Sequence, residues 1–202
     1  MRTAVKTFGP ADHGRLVGDE EAAIARYKEG YRYEIIEGRL YVSPVPNLPE
    51  SCLDEWLRRQ IEDYAARRPD VINFVASKAR VFLADRDLTT APEPDVAAYQ
   101  GFPADRPIRD LRWEDVSPVL VAEVLVDSEP FKDLVRNVGL YLGVPSIREY
   151  WILDGSADAD EPTLIVYRRR GPRWQKPREY RFCSTYTTPL LPGFKLLIDP
   201  HR

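Results

Sequence analysis

The chain has 202 residues, a net charge of −3, two cysteines and two histidines, and that length buries a core without a disulfide or metal staple. Cys52 and Cys183 stand far apart, with no CxxC and no Cys/His cluster, which excludes a structural zinc site and points to a reducing compartment. No run reaches the roughly 18 apolar residues of a membrane span, and Met1-Arg-Thr-Ala-Val-Lys6 has no apolar leader, so the expectation is a cytoplasmic protein without a membrane partner.

Residues 1–18, with Gly9-Pro10 and His13-Gly14, read as an irregular lead-in. A short helix fits Asp19 to Lys28, with Asp19 as N-cap and Gly30 as its stop. Tyr31–Gly38 alternates and Arg39–Ser43 resumes after Glu37-Gly38, a hairpin signature. Pro44, Pro46 and Pro49 connect it to a helix over Ser51 to Arg68, with Leu53, Trp56, Leu57, Ile61 and Tyr64 at helical spacing. Val71 to Ala84 reads as a strand, and the loop after it delivers Asp95 into a short apolar strand. Gln100 to Val116 is a polar excursion from the sheet.

The most apolar run, Pro118 to Val126, bounded by Asp127-Ser128, reads as a buried strand. A helix is expected from Pro130 to Leu142, with Phe131, Leu134, Val135, Val138 and Leu142 on its apolar side and Gly143 beyond its end. Arg148 to Asp154 is a further strand, so Pro118 to Asp154 is a βαβ-like unit. Residues 163–182 form a hairpin, and Tyr186 to Asp199, turning at Pro192-Gly193, adds another short strand or two. The expectation is one domain over residues 1–202, of α/β (α+β) class, with a central mixed sheet flanked by helices.

Glu123 stands in the middle of the apolar run, where an unpaired charge costs several kcal/mol, so it must be protonated, paired or bound to a cation. Asp95, directly after Pro94, opens another strand. Two strand-borne acids can converge on one divalent metal, although a strand-centre glutamate can equally pair with an arginine and a Pro-Asp step is a common loop ending. Both histidines lie near the chain ends, which removes the usual general base and the Ser-His and Cys-His arrangements. No glycine-rich phosphate loop is present. The remaining chemistry is that of carboxylates on a hard metal, Mg²⁺ or Mn²⁺. Between Pro162 and Arg181, Arg168, Arg169, Arg170, Arg173, Lys176, Arg178 and Arg181 alternate with Tyr167, Trp174 and Tyr180. That local basic patch fits nucleic-acid contact through Arg168, Arg169, Arg170 and Arg173, and it fits a solvated hairpin as well.

Tyr33–Gly38, Leu40–Pro44, Glu93-Pro-Asp95, Val121–Leu125 and Leu140–Asp154 occur in one order over Gly30 to the C-terminus. In these motifs the chain resembles the Uma-two family of restriction-endonuclease-like bacterial proteins, which have the PD-(D/E)XK nuclease fold. The resemblance implies a metal-dependent phosphodiesterase core in which Asp95 takes the place of the first acid, Glu123 that of the second, and Glu34 the acid of the N-terminal segment, with Mg²⁺ or Mn²⁺ held by Glu34, Asp95 and Glu123. The position two residues after the second acid, where the motif has lysine, is Leu125. Family members also carry an Asp followed four residues later by Lys in the next helix, and here those positions are Asp133 and Asn137. Lys132 and Arg136, one turn apart, are the cations that stand nearby. The implied activity is endonucleolytic cleavage of DNA, with RNA the lesser expectation and a homodimer the expected assembly for cutting two strands. The rival readings are a nucleic-acid-binding protein that keeps the fold without turnover, and a partner-binding domain in which Glu123 pairs with an internal arginine.

Overall fold

In the computed structural model, which describes residues 6–84, 86–126 and 131–202, strand β1 (Thr7–Phe8) precedes helix α1 (Asp19–Ile24). The helix expected to reach Lys28 stops four residues earlier. Ala25 turns extended, and Arg26–Tyr27 become strand β2, which pairs in parallel with β1. Tertiary pairing overrides helix propensity here, because the Tyr27 ring packs on Phe8 and Tyr33. The cap is Gly18, and Asp19 is the first helical residue. Of the irregular lead-in, residues 1–5 lie outside the described residues.

Strands β3 (Tyr31–Ile36) and β4 (Arg39–Pro44) form the expected hairpin. Glu37 and Gly38 both take positive φ, 51° and 68°, as a two-residue type I′ turn requires. Helix α2 (Leu48–Arg67) begins three residues before its sequence signal, because the Asn47 side chain accepts the Glu50 N–H at 2.9 Å and Pro49 is tolerated in the first turn. The strand expected over Val71 to Ala84 shrinks to β5 (Phe74–Ala76). Lys78, at φ 56°, breaks it, and beyond it Val81 N–H bonds the Pro92 carbonyl and Leu83 N–H the Thr90 carbonyl.

The described residues form a seven-stranded mixed sheet. Strand β5 pairs antiparallel with β6 (Val96–Tyr99), and β6 with β7 (Leu120–Leu125). Strand β7 runs parallel to β8 (Glu149–Asp154), which pairs antiparallel with β9 (Thr163–Arg170). The far edge of β9 takes both β10 (Arg173–Trp174) and β11 (Arg178–Tyr180). The polar stretch from Gln100 to Val116 makes two 3₁₀ turns outside the sheet. Strands β12 (Thr185–Tyr186) and β13 (Leu196–Leu197) close the chain.

Between β7 and β8 a π-helical turn (Lys132–Arg136) leads into helix α3 (Asn137–Leu142). The expected helix start at Pro130, like the boundary at Asp127-Ser128, lies outside the described residues. Its expected apolar side is corrected: Phe131 and Val135 are 62% and 55% exposed, while Asp133, Asn137, Leu140 and Tyr141 are buried. The buried face is half polar because its polar groups find partners in the sheet.

Alternation along each strand divides the core. Val96, Ala98, Leu120, Ala122, Val124, Trp151 and Leu153 face Leu53, Trp56, Leu57 and Ile61 of α2. Ala97, Tyr99, Val121, Leu125, Tyr150 and Ile152 face the α3 side. Asp95 and Glu123 fall on the α3 side by the same alternation. Among the described residues no helix is long and apolar enough to cross a membrane.

Arg169 fastens α3 to the sheet. Its guanidinium donates to the carbonyls of Ile147, Tyr141, Leu142 and Val144 at 2.5, 3.1, 2.9 and 2.8 Å, and it lies 5.0 Å from the Trp174 ring. These are carbonyls at and beyond the helix C-terminus that would otherwise lack donors. Arg169→Met is therefore expected to cost about 3 kcal/mol and lower the thermal midpoint by about 10 °C, and Arg170→Met, at an exposed position, to leave it unchanged.

Candidate active site

Strand register brings the two acids together. The ladder pairs Val96 with Ala122, so one step further Asp95 stands opposite Glu123. Cross-strand neighbours of this kind have Cβ atoms roughly 5 Å apart. The Asp95 carboxylate confirms the placement by accepting the Val124 N–H at 2.8 Å, and its other oxygen receives Arg32 Nη2 at 2.5 Å.

Glu123 is 0% exposed. One of its oxygens, Oε1, accepts Asn137 Nδ2 at 2.9 Å and the Tyr141 hydroxyl at 2.7 Å. The other, Oε2, has no hydrogen-bond partner among the described residues, and the nearest cation, Lys132 Nζ, stands 4.0 Å away. Burial pushes the Glu123 carboxyl well above the ordinary carboxylate range. Lys132 pulls it back, and Asp133, Asp95 and Glu34 push it further up.

Asp133, Asn137 and Tyr141 are spaced i, i+4, i+8 and share one face, from which Asn137 and Tyr141 reach Glu123. Asn137 Nδ2 bridges the acids, also donating to Asp133 Oδ1 at 3.0 Å. The π-helical turn, in which the Asn137 N–H bonds the Lys132 carbonyl five residues back, directs Lys132, Asp133 and Arg136 to the same space; such turns recur at functional sites. Burial raises the Asp133 carboxyl to about 6, with Lys132 opposing. Lys132 Nζ lies 3.9 Å from Asp133 Oδ1. Burial lowers its pKa, but Glu123, Glu34 and Asp133 more than reverse this and hold it above the usual lysine value.

Glu34, on β3, accepts Arg136 Nη2 at 2.9 Å and the Glu93 N–H at 3.1 Å. Burial would raise it, yet Lys132 and Arg136 bring it below its ordinary value. Arg136 also lies 5.3 Å from the Tyr41 ring. Glu34, Asp95, Lys132, Asp133 and Arg136 line one cleft of about 650 Å³ between the β3–β4 hairpin and the π-helical turn, and Glu123 does not reach its surface.

The four arginines of the basic patch stand elsewhere, and none lines this cleft. Arg168 contacts Glu149 at 3.0 Å and donates to the Thr187 carbonyl at 2.8 Å, and Arg169 is committed to α3. Arg170 and Arg173 are exposed.

Several site residues escaped the sequence reading. Arg32 alternates with Glu34 on β3, and nothing in its neighbourhood marks it as the partner of Asp95. His13, although near the chain start, lines the cleft, its Nδ1 3.2 Å from the Val42 nitrogen. Asp54 of α2 is raised to about 7 by burial and by Asp95, and its Oδ1 has no hydrogen-bond partner among the described residues.

Residues 20–199 match the Uma2 family, described as "Putative restriction endonuclease". No curated protein matches the chain. Among solved structures, the fold is similar to that of a "putative nuclease belonging to DUF820" from Anabaena variabilis, at 16% identity and a TM-score of 0.65, covering 89% of this chain and 93% of that one.

Proposed function

Because the chain belongs to the Uma2 family of putative restriction endonucleases, we propose that it is a divalent-metal-dependent endonuclease whose acid pair is Asp95 and Glu123. One observation carries the reading: a fully buried glutamate, opposite a second acid, keeps one oxygen without a hydrogen-bond partner beside a cleft. Asp95 has both oxygens engaged, by the Val124 N–H and by Arg32, so the free oxygen of Glu123 is the open position of the pair.

The donor set suits Mg²⁺ or Mn²⁺. All candidate ligands are carboxylate oxygens, and Mg²⁺ is commonly held by one or two carboxylates with waters completing its shell. Asp95 and Glu123 would hold the ion, with Glu34 on a bound water. When bound, it supplies Lewis-acid polarisation and a water of lowered pKa.

The remaining work falls to groups of this chain. Asp133, which lines the cleft with Lys132 3.9 Å from its Oδ1, is the carboxylate placed to take the proton of the attacking water. Lys132 meets the charge that develops on phosphorus, and Arg136, fixed by Glu34, braces the phosphate without losing its proton. Asn137 and Tyr141 orient Glu123. The substrate is DNA, and the two exposed free thiols suit the cytoplasm. A second copy of the chain would present a second such site.

The test incubates labelled DNA and RNA oligonucleotides with Mg²⁺, Mn²⁺ or a chelator. Cleavage of DNA with metal, none with chelator and none by Asp95→Asn are expected. Binding of DNA without cleavage under any of these conditions would favour the non-catalytic binding protein instead.

A further inference from the structure

Arg32 has a second neighbourhood. Beside the cleft lies another hollow, of about 400 Å³, and the two share Arg32, Val45 and Pro46 as a common wall. Its other lining includes Tyr27, Tyr31, Lys78, Arg80 and Glu93. Three cations face a single acid there.

The charges are not equally engaged. Arg80 pairs with Glu93 at 2.8 Å and lies 5.7 Å from the Tyr27 ring, and Arg32 is held by Asp95. Lys78 is exposed and makes no ion pair among the described residues. It is also held at φ 56°, a conformation disfavoured for a residue with a Cβ and one that clusters at ligand sites. Tyr31, half-buried at the start of β3, lines the same hollow as that free ammonium. A cation with an adjacent aromatic is the pairing that holds the phosphate and base of a single strand.

Resting on the nuclease reading above, we infer that this hollow is a second nucleotide subsite, which takes the phosphate on Lys78 and the base on Tyr31 for a nucleotide neighbouring the one in the cleft. The strand then passes Arg32 between the two hollows. A concavity of this volume is of small-ligand size, enough for one nucleotide whose base is unpaired and turned onto Tyr31. The preferred substrate is accordingly single-stranded or locally unpaired DNA.

The test measures binding of a labelled thymidine dinucleotide, a longer oligothymidylate and its duplex across a range of salt, with Ca²⁺ in place of Mg²⁺. Wild type should bind the longer strand more tightly than either the dinucleotide or the duplex. Lys78→Gln and Lys78→Gly, the latter relieving the backbone, should each weaken the longer strand about fivefold and reduce the salt slope by about 0.7, the loss of one phosphate contact on a single strand. Tyr31→Leu should weaken it about tenfold; the dinucleotide, which spans the two hollows, should lose affinity in the same variants, and thymidine monophosphate should not. Unchanged affinity and slope in both lysine variants, with wild type still cleaving, would remove the subsite and leave the nuclease reading standing. Equal binding of duplex and single strand, or competition by thymidine monophosphate as strong as by the longer strand, would also overturn it. Failure of wild type to bind any of these DNAs would remove both readings.

Discussion

Lys132→Met is expected to slow DNA cleavage by about 10²–10⁴-fold, the range attributed to a single charge-stabilising or proton-handling group, while binding of DNA changes little. The ammonium sits 4.0 Å from Glu123 Oε2 and 3.9 Å from Asp133 Oδ1, beside the cleft in which the phosphate would lie. The acids around it hold its pKa above the ordinary lysine value. It therefore stays charged through the physiological range and serves as a cation, not as a base. The motif's usual lysine positions are filled by Leu125, which packs in the core, and by Asn137, which is bonded to both Glu123 and Asp133. Single-turnover rates at saturating DNA check this. Normal cleavage by Lys132→Met alongside a dead Arg136→Met would transfer the role to Arg136.

Glu123→Gln is expected to make the protein more stable and inactive at once. A buried carboxylate oxygen without a hydrogen bond costs about 1–3 kcal/mol and an amide carries no charge to desolvate; the lost attraction to Lys132, 4.0 Å away, offsets part of this, so the thermal midpoint should rise by roughly 3 °C near pH 8. The sign of the pH dependence follows from linkage. Burial raises the folded-state pKa of Glu123 above its ordinary value of 4.5. Between those two values the folded state binds more protons than the unfolded chain. Wild type thus loses stability as pH rises through that window, and the glutamine variant does not lose this contribution. The gap between the two melting curves should be widest at alkaline pH and close towards acid. Melting at a series of pH values measures it, and a gap that is constant with pH would mean that Glu123 carries no buried charge.

Much of this architecture was legible from residue patterns. The uninterrupted apolar run around Glu123 reads as a strand buried on both faces and is one, and Glu37-Gly38 reads as a tight turn and takes the two positive φ values that such a turn needs. What pattern could not supply was the identity of the groups facing Glu123. Asp133, Asn137 and Tyr141 form a stripe at helical spacing, but the apolar residues at Phe131 and Val135 suggested the opposite face as the buried one. A polar stripe can be buried only when its partners are known, and those come from a strand eight or more residues earlier. Position in the chain also misled. His13 lies near the start of the sequence and at the mouth of the cleft, because the lead-in folds back on β4, with Gly14 N–H bonding the Leu40 carbonyl at 2.7 Å. The truncation of the strand after Ala76 depends on a left-handed lysine, which no propensity scale anticipates.

The most direct test of the acid pair is to titrate Mn²⁺ into wild type, Asp95→Asn and Glu123→Gln and follow the bound ion by electron paramagnetic resonance. Wild type should bind one Mn²⁺ that Mg²⁺ displaces, and each variant should bind it at least tenfold more weakly while remaining folded. Equal Mn²⁺ binding by all three proteins, or none by wild type, would contradict the assignment of Asp95 and Glu123 as the metal-holding pair.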